Sequence, residues 1–283
     1  MRTRLVIALG LLVLGAAAAM AEEMVLPVFA VAWPGKGGNL WNTEVFATNP
    51  GPVPVMLEIG PFLAGRTQVA TPCEHPVPFR HELPPYTTQL VMSTELSTAI
   101  GCPDFAIGGL AFSAAGEVSL VARVVNTARA FTSAAPSALL GVGQQIPAIP
   151  ASQLAVSGSV YQVPGLILDQ NPCAGPRFES YLYIANPGPE KVDLTLQQTE
   201  DGKSSGELIL SGKPVGTPYT VTVPPYGWLQ FLVQEAGTVE GPCTDPKVVD
   251  LFFTTNGPLA VVGTVVDRSS QEPRTVLPLA TMH

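Results

Sequence analysis

Apolar and β-branched residues come in short runs along this chain, and several of the runs stop at proline, glycine or asparagine. In the first half the runs cover 25–32, 41–48, 53–59, 82–92, 106–113 and 117–127. In the second they cover 161–168, 178–185, 192–198, 207–210, 219–223, 228–233, 248–254 and 259–267. Many short strands with a turn signal roughly every ten residues predict an all-β sandwich architecture. No segment combines a 3.6-residue period with helix caps. The nearest candidate, 128–140, is interrupted by Pro136.

The punctuation repeats. Asn49-Pro50-Gly51-Pro52 returns as Asn186-Pro187-Gly188-Pro189, and Pro84-Pro85-Tyr86 as Pro224-Pro225-Tyr226. Residues 110–125 around Gly116 return as 251–266 around Gly257, and the three offsets are 137, 140 and 141 residues. Duplicated turn chemistry in one order predicts two tandem antiparallel β-sandwich domains, at 22–150 and 151–283, arising from an internal duplication. Each turn has a predicted mechanism. In the Asn-Pro-Gly-Pro element, proline presets φ and glycine accepts the positive φ of a type II turn joining two partner strands. Asn49 is expected to bond its own backbone two residues on. The paired prolines at 84–85 remove two ladder donors and predict a strand-to-strand corner. Ala114-Ala115-Gly116 and Thr255-Asn256-Gly257 read as hairpin turns. The second half adds a further hairpin around 211–214, and 147–158 reads as a stiff linker with limited interdomain freedom.

The N-terminus reads as a targeting segment. Arg2 and Arg4 precede the apolar stretch 5–19, and Ala19-Met20-Ala21 supplies small residues for cleavage, so 1–21 is predicted to be a signal peptide. The stretch is short for a bilayer span of about 20 residues. The mature chain is expected to be secreted or periplasmic, with no membrane insertion after cleavage. It then carries 12 basic and 22 acidic residues, net −10, divided as −4 and −6 between the halves. That even acidity argues against nucleic acid and anionic membranes as partners.

An even number of cysteines in an exported chain predicts disulfides. Cys102 and Cys243 are repeat equivalents; Cys73 and Cys173 are not. With consecutive strands antiparallel, the loops holding all four emerge at one pole, opposite the Asn-Pro-Gly-Pro turns. The pairing expected is Cys73–Cys102 and Cys173–Cys243, one bridge per domain, each contributing roughly 3–4 kcal/mol by loop closure.

Reactive residue types are sparse. His75 and His81 flank Pro76-Val77-Pro78, and Cys73-Glu74-His75 with His81-Glu82 fits no zinc spacing, so a solvated loop is expected there. Gly35-Lys36-Gly37-Gly38 lacks P-loop spacing. Asp104 and Asp245 read as turn residues. No metal, cofactor or catalytic residue is predicted, and an enzyme is not expected. Trp33, beside the glycine-rich loop, and Trp228, whose repeat equivalent is Thr88, are stacking candidates, with Lys36 as a neighbouring ligand contact. Trp41 and Phe178 occupy equivalent positions and read as core.

The motifs Thr48-Asn49-Pro50, Ala185-Asn186-Pro187 and Gly143-Gln144-Gln145-Ile146-Pro147 resemble those of tandem immunoglobulin-like sandwiches in exported, poorly characterised bacterial proteins. The second half departs by ending at Val276-Leu277-Pro278 without a preceding Gly-Gln. The resemblance implies a fold rather than an activity. The function expected is a non-catalytic binding or structural protein whose loop pole meets a protein or glycan at the cell envelope. Two other classes are a carbohydrate-binding module using Trp33 or Trp228, and a two-domain periplasmic chaperone donating an edge strand.

Overall fold

The computed structural model describes residues 22–34, 40–65, 79–92, 106–126, 143–169, 177–197, 208–210, 213–214, 218–235, 246–267 and 273–281. Among them the chain is all-β, with no α-helix and no helix long and apolar enough to cross a membrane. The first half contributes β1 (Glu22–Val31), β2 (Trp33–Pro34), β3 (Leu40–Asn49), β4 (Val55–Gly65) and β5 (Phe79–Leu83). It continues with β6 (Thr87–Met92), β7 (Ala106–Ala114), β8 (Ser119–Asn126), β9 (Gly143–Pro147) and β10 (Ile149–Pro150). After a 3₁₀ turn at Ala151–Gln153 come β11 (Tyr161–Leu168), β12 (Phe178–Ala185), β13 (Val192–Gln197), β14 (Leu208–Leu210) and β15 (Lys213–Pro214). The chain ends with β16 (Tyr219–Val223), β17 (Gly227–Glu235), β18 (Lys247–Thr255), β19 (Ala260–Asp267), β20 (Pro273–Val276) and β21 (Leu279–Ala280).

These strands form three sheets. An eleven-stranded sheet runs β10-β1-β7-β4-β17-β12-β19-β20, with β5, β14 and β15 beside it. A first five-stranded sheet holds β2, β3, β6, β8 and β9, and a second runs β16-β13-β18-β11-β21. One core, including Phe29, Leu57, Leu110 and Ile146, lies between the first five-stranded sheet and β1, β4 and β7. Another, including Leu166, Leu182, Leu194 and Phe253, lies between the second five-stranded sheet and β12, β17 and β19. The pairing order β10-β1-β7-β4-β5 is matched by β21-β11-β18-β13-β16, and β9-β8-β3-β6 by β20-β19-β12-β17.

The turns do not make the hairpins that the sequence predicts. β3 and β4 flank the Asn-Pro-Gly-Pro turn but lie in different sheets, as do β7 and β8, and β18 and β19. Each of these connections is an arch that crosses from one layer of the sandwich to the other. Asn256-Gly257 fails as a type I′ hairpin because neither residue has positive φ, which that turn requires at both centres. Gly257 is needed for close approach instead: a Cβ there would lie 3.0 Å from Val192 Cγ2, and at Gly116 3.1 Å from Val55 Cγ2. The expected corner at Pro84-Pro85 is present and divides the predicted strand 82–92 into β5 and β6, in different sheets. The extra hairpin is also present, as β14 paired with β15.

Turn and corner form one knot at the same end of each half. Asn49 and Asn186 are fully buried. Asn49 Nδ2 donates to the carbonyls of Val53 (2.8 Å), Leu83 (3.0 Å) and Pro84 (3.1 Å), and its Oδ1 accepts the Gly51 N–H at 2.9 Å. Asn186 Nδ2 donates likewise to Glu190 (2.6 Å), Val223 (3.4 Å) and Pro224 (2.9 Å), and its Oδ1 accepts from Gly188 N at 3.0 Å. The predicted two-residue bond of Asn49 to its own backbone is therefore made. The positive φ is not on Gly51, however. It falls on Tyr86 (55°) and Tyr226 (49°), and the Gly227 N–H closes onto the Pro224 carbonyl at 3.0 Å. Proline at the second position and positive φ at the third put the type II geometry at Pro-Pro-Tyr rather than at Asn-Pro-Gly-Pro.

A second repeated device ties the layers together. The Ala30 N–H donates to Thr43 Oγ1, and the Ile167 N–H to Ser180 Oγ, both at 2.8 Å. Register shifts after Leu26 in β1 and after Val163 in β11 bracket Pro27 and Pro164. Proline within a sheet is accommodated at such bulges, where no ladder donor is needed.

Candidate functional site at the seam between the halves

A strand with one face in a core alternates buried and less buried positions, as β3 and β13 do. β1 does not: Met24 to Val31 are all buried. Ala106 to Leu110 in β7 and Ala260 to Val265 in β19 are also continuously buried. Continuous burial requires cover on both faces, and the second cover comes from the other half. Val25, Ala30, Ile107, Ile149 and Leu154 pack with Ala185, Trp228, Ala260 and Val262 in a third apolar cluster. Trp33, Trp41 and Tyr183 lie half-buried against it. All three tryptophans of the chain therefore converge on this seam.

Backbone pairing crosses the seam as well. Gly227 and Trp228 of β17 pair in parallel with Ala64 and Gly65 of β4, which makes the eleven-stranded sheet continuous. The expected linker is built into the joint rather than standing as a spacer. β10 pairs with Met24 and Val25 of β1, and Ala155 bridges Leu259 in both directions at 2.9 and 3.0 Å. β9 meets β20 through the Gln144 amide donating to Thr275 Oγ1 at 2.8 Å, and the Thr275 hydroxyl donates to the Gln145 carbonyl.

Trp228 does not present a stacking face. It is 4 % exposed, its ring lies 5.8 Å from that of Tyr183, and its indole N–H donates to the Pro27 carbonyl at 2.6 Å. Pro27 sits in the β1 bulge, where the ladder register breaks. The indole spans the two halves and satisfies a buried acceptor, so a sugar ring has no access to it. Trp33 belongs to β2 and pairs with Trp41 across the strand ladder. Trp41, expected in the core, packs on both the first core and the seam, and Phe178 packs on the second core. Lys36 lies outside the described residues, as do Cys73, Cys102, Cys173 and Cys243, His75, Asp104 and Asp245.

His81 and Glu82 do not lie in a solvated loop. They belong to β5, paired with Leu57 and Met56 of β4. The His81 Nε2 is hydrogen-bonded to Gln89 Oε1 of β6, and the ring stacks on Phe79. Tyr183 is the titratable group the seam perturbs most. Its ring is half-buried, yet desolvation pushes its phenol up to about 12, with Thr264 and Gln230 side chains pulling the other way. Thr264 Oγ1 nonetheless has no hydrogen bond of good geometry. Composition alone did not single out the seam. Its trace in the sequence is the uninterrupted apolar character of 24–31 and 260–263, where a half-buried strand alternates.

No protein-family model, curated protein or solved structure matches the chain.

Proposed function

We propose that this chain is an exported, non-catalytic binding or structural protein, built from two immunoglobulin-like sandwiches that descend from one duplicated unit. The observation that carries this reading is the seam. It spends three tryptophans and the outward face of β1 on joining the halves, an arrangement that supports a stiff two-body scaffold rather than a site open to substrate. The repeated Asn knots and the matched pairing orders support the duplication. A scaffold of this kind sets the spacing of the segments it carries, and we assign the contact with a protein or glycan of the cell envelope to the cysteine-bearing pole expected from the sequence. One disulfide in each half completes the unit.

The experiment is capture from a native envelope fraction, comparing the wild-type protein with variants in which 66–78 or 236–245 is replaced by a Gly-Ser linker. A partner identified with the wild type and lost with one loop variant supports the reading. Equal capture by all three removes the loops from the function. The carbohydrate alternative now rests on Trp33 alone, and Trp33→Ala on a glycan array decides it.

A further inference from the structure

We propose that the outer face of the second five-stranded sheet docks the first half of another copy of this chain, head to tail. The inference rests on the tandem reading above and extends it from a monomer to an assembly.

The argument is one of equivalent positions. Within the chain, the seam is formed when β1, β7 and β10 turn their outward faces to the second half. The pairs Ala30–Ile107 and Val25–Ile149 lie side by side there, and Ile107 and Ile149 are 7 % and 8 % exposed. In the second half the same register positions are Ile167–Val248 and Gln162–Leu279. Val248 is 70 % exposed and Leu279 58 %. The acceptor face is therefore present twice, covered once and bare once. Val248 and Leu279 stand on the two strands that flank β11, so the exposed apolar side chains lie on the same two neighbours as the covered Ile107 and Ile149. Its polar members Gln162 and Asp250 are tied, with Arg274 of β20, around the β11 bulge. Gln162 Nε2 and the Gly165 N–H both donate to Asp250, and Arg274 donates to the Gly165 carbonyl at 2.8 Å.

The occupant is argued in the same way. What covers β1 is the turn end of the sheet β17-β12-β19, through Trp228, Ala185, Ala260 and Val262. Its counterpart in the first half is the turn end of β6-β3-β8, where Thr88, Thr48, Ser119 and Val121 stand at those positions. Among the described residues nothing covers this end: Thr88 and Ser119 are exposed, and Leu90 on the edge strand β6 is 47 % exposed. β6 carries no charge or proline, the devices that normally protect an edge. Each chain thus holds one unused acceptor and one unused donor of a joint it already makes internally. Because the two surfaces differ, the contact is heterologous and propagates. Thr88 in place of Trp228 makes it weaker than the internal seam.

Sedimentation velocity on the purified mature protein, from residue 22 onward, tests this over a concentration series reaching the millimolar range. The expected result is an average mass that rises with concentration without a plateau at the dimer. Val248→Arg lowers the apparent association constant about tenfold or more, equivalent to about 1.4 kcal/mol. Thr88→Trp, which gives the first half the residue the second half uses, strengthens association, and Val248→Arg abolishes that gain. Both positions are exposed, and circular dichroism verifies that each variant folds. A wild type that stays monomeric, a plateau at the dimer, or indifference to Val248→Arg overturns the assembly. Disulfide mapping tests the tandem reading separately, so a monomer with one bridge in each half overturns the assembly alone.

Discussion

Replacing Asn49 by alanine removes a side chain that carries no surface of its own and closes four backbone groups. The Leu83 carbonyl is buried and loses its partner outright, which costs about 2 kcal/mol. The carbonyls of Val53 and Pro84 and the Gly51 N–H are part-buried and recover some hydration, so each adds roughly 0.5 kcal/mol. The sum, about 3–4 kcal/mol, is a large share of the stability of an ordinary domain. Asn49→Asp separates hydrogen bonding from shape. It still accepts the Gly51 N–H, but it turns a carboxylate oxygen toward three carbonyls. Its cost at neutral pH is expected to equal or exceed that of alanine, and to fall in acid, where a protonated carboxyl regains one donor. Urea unfolding followed by near-UV circular dichroism measures both variants. Asn186→Ala should lose a similar amount, because its contacts are the same set. An alanine variant at either position that loses less than about 1 kcal/mol would refute the knot as the source of turn stability.

Further expectations concern the seam and the packing. Trp228→Phe keeps most of the apolar contact but leaves the Pro27 carbonyl unpaired, so it should cost about 1–3 kcal/mol; amide exchange in β10 and at Ala155 should quicken at the same time. Tyr183 is neutral when folded up to about pH 12 but ionises near 10 when unfolded. Its contribution is thus whole below pH 10 and declines by about 1.4 kcal/mol per pH unit between pH 10 and about 12. Tyr183→Phe should flatten alkaline unfolding curves, and an unchanged curve would show that the phenol is solvated. At Gly263 an added Cβ would sit 2.7 Å from Val163 Cγ1, so Gly263→Ala should cost about 1–3 kcal/mol by overpacking, read as a shift in the urea midpoint at constant slope. Non-reducing peptide mapping should find Cys73 with Cys102 and Cys173 with Cys243; a bridge joining the halves would contradict the assignment of one to each.

Much of the strand inventory was legible because strand formation is local. β11, β12 and β16 lie where apolar runs and turn residues put them, and the Pro-Pro-Tyr corner follows from two missing donors. Asn49 and Asn186 were legible as turn initiators, since an Asn amide reaches its own backbone two residues on. Their three carbonyl partners were not, because Leu83 and Pro84 are 34 and 35 residues away. His81 was misplaced because its proline-rich flank resembles a loop, whereas partnership with β4 holds it in a strand. Trp228 was misread for a related reason. A tryptophan without a counterpart in the other half suggests a ligand contact, but asymmetry between the halves is also what a joint between them requires.

The sequence by itself determined most of the longer strands, the duplicated turn chemistry and the positions where backbone reversal is cheap, because each of these depends on a few neighbouring residues. It did not determine which layer a strand enters, since an arch and a hairpin use the same glycine and proline. Tertiary structure decided that the turns cross between sheets, that positive φ sits on tyrosine, and that β1 is covered on both faces. Those outcomes come from side chains brought together from distant positions, about 35 residues apart at the Asn knots and about two hundred at the seam, where burial of apolar surface and the need to pair buried carbonyls outweigh local preference.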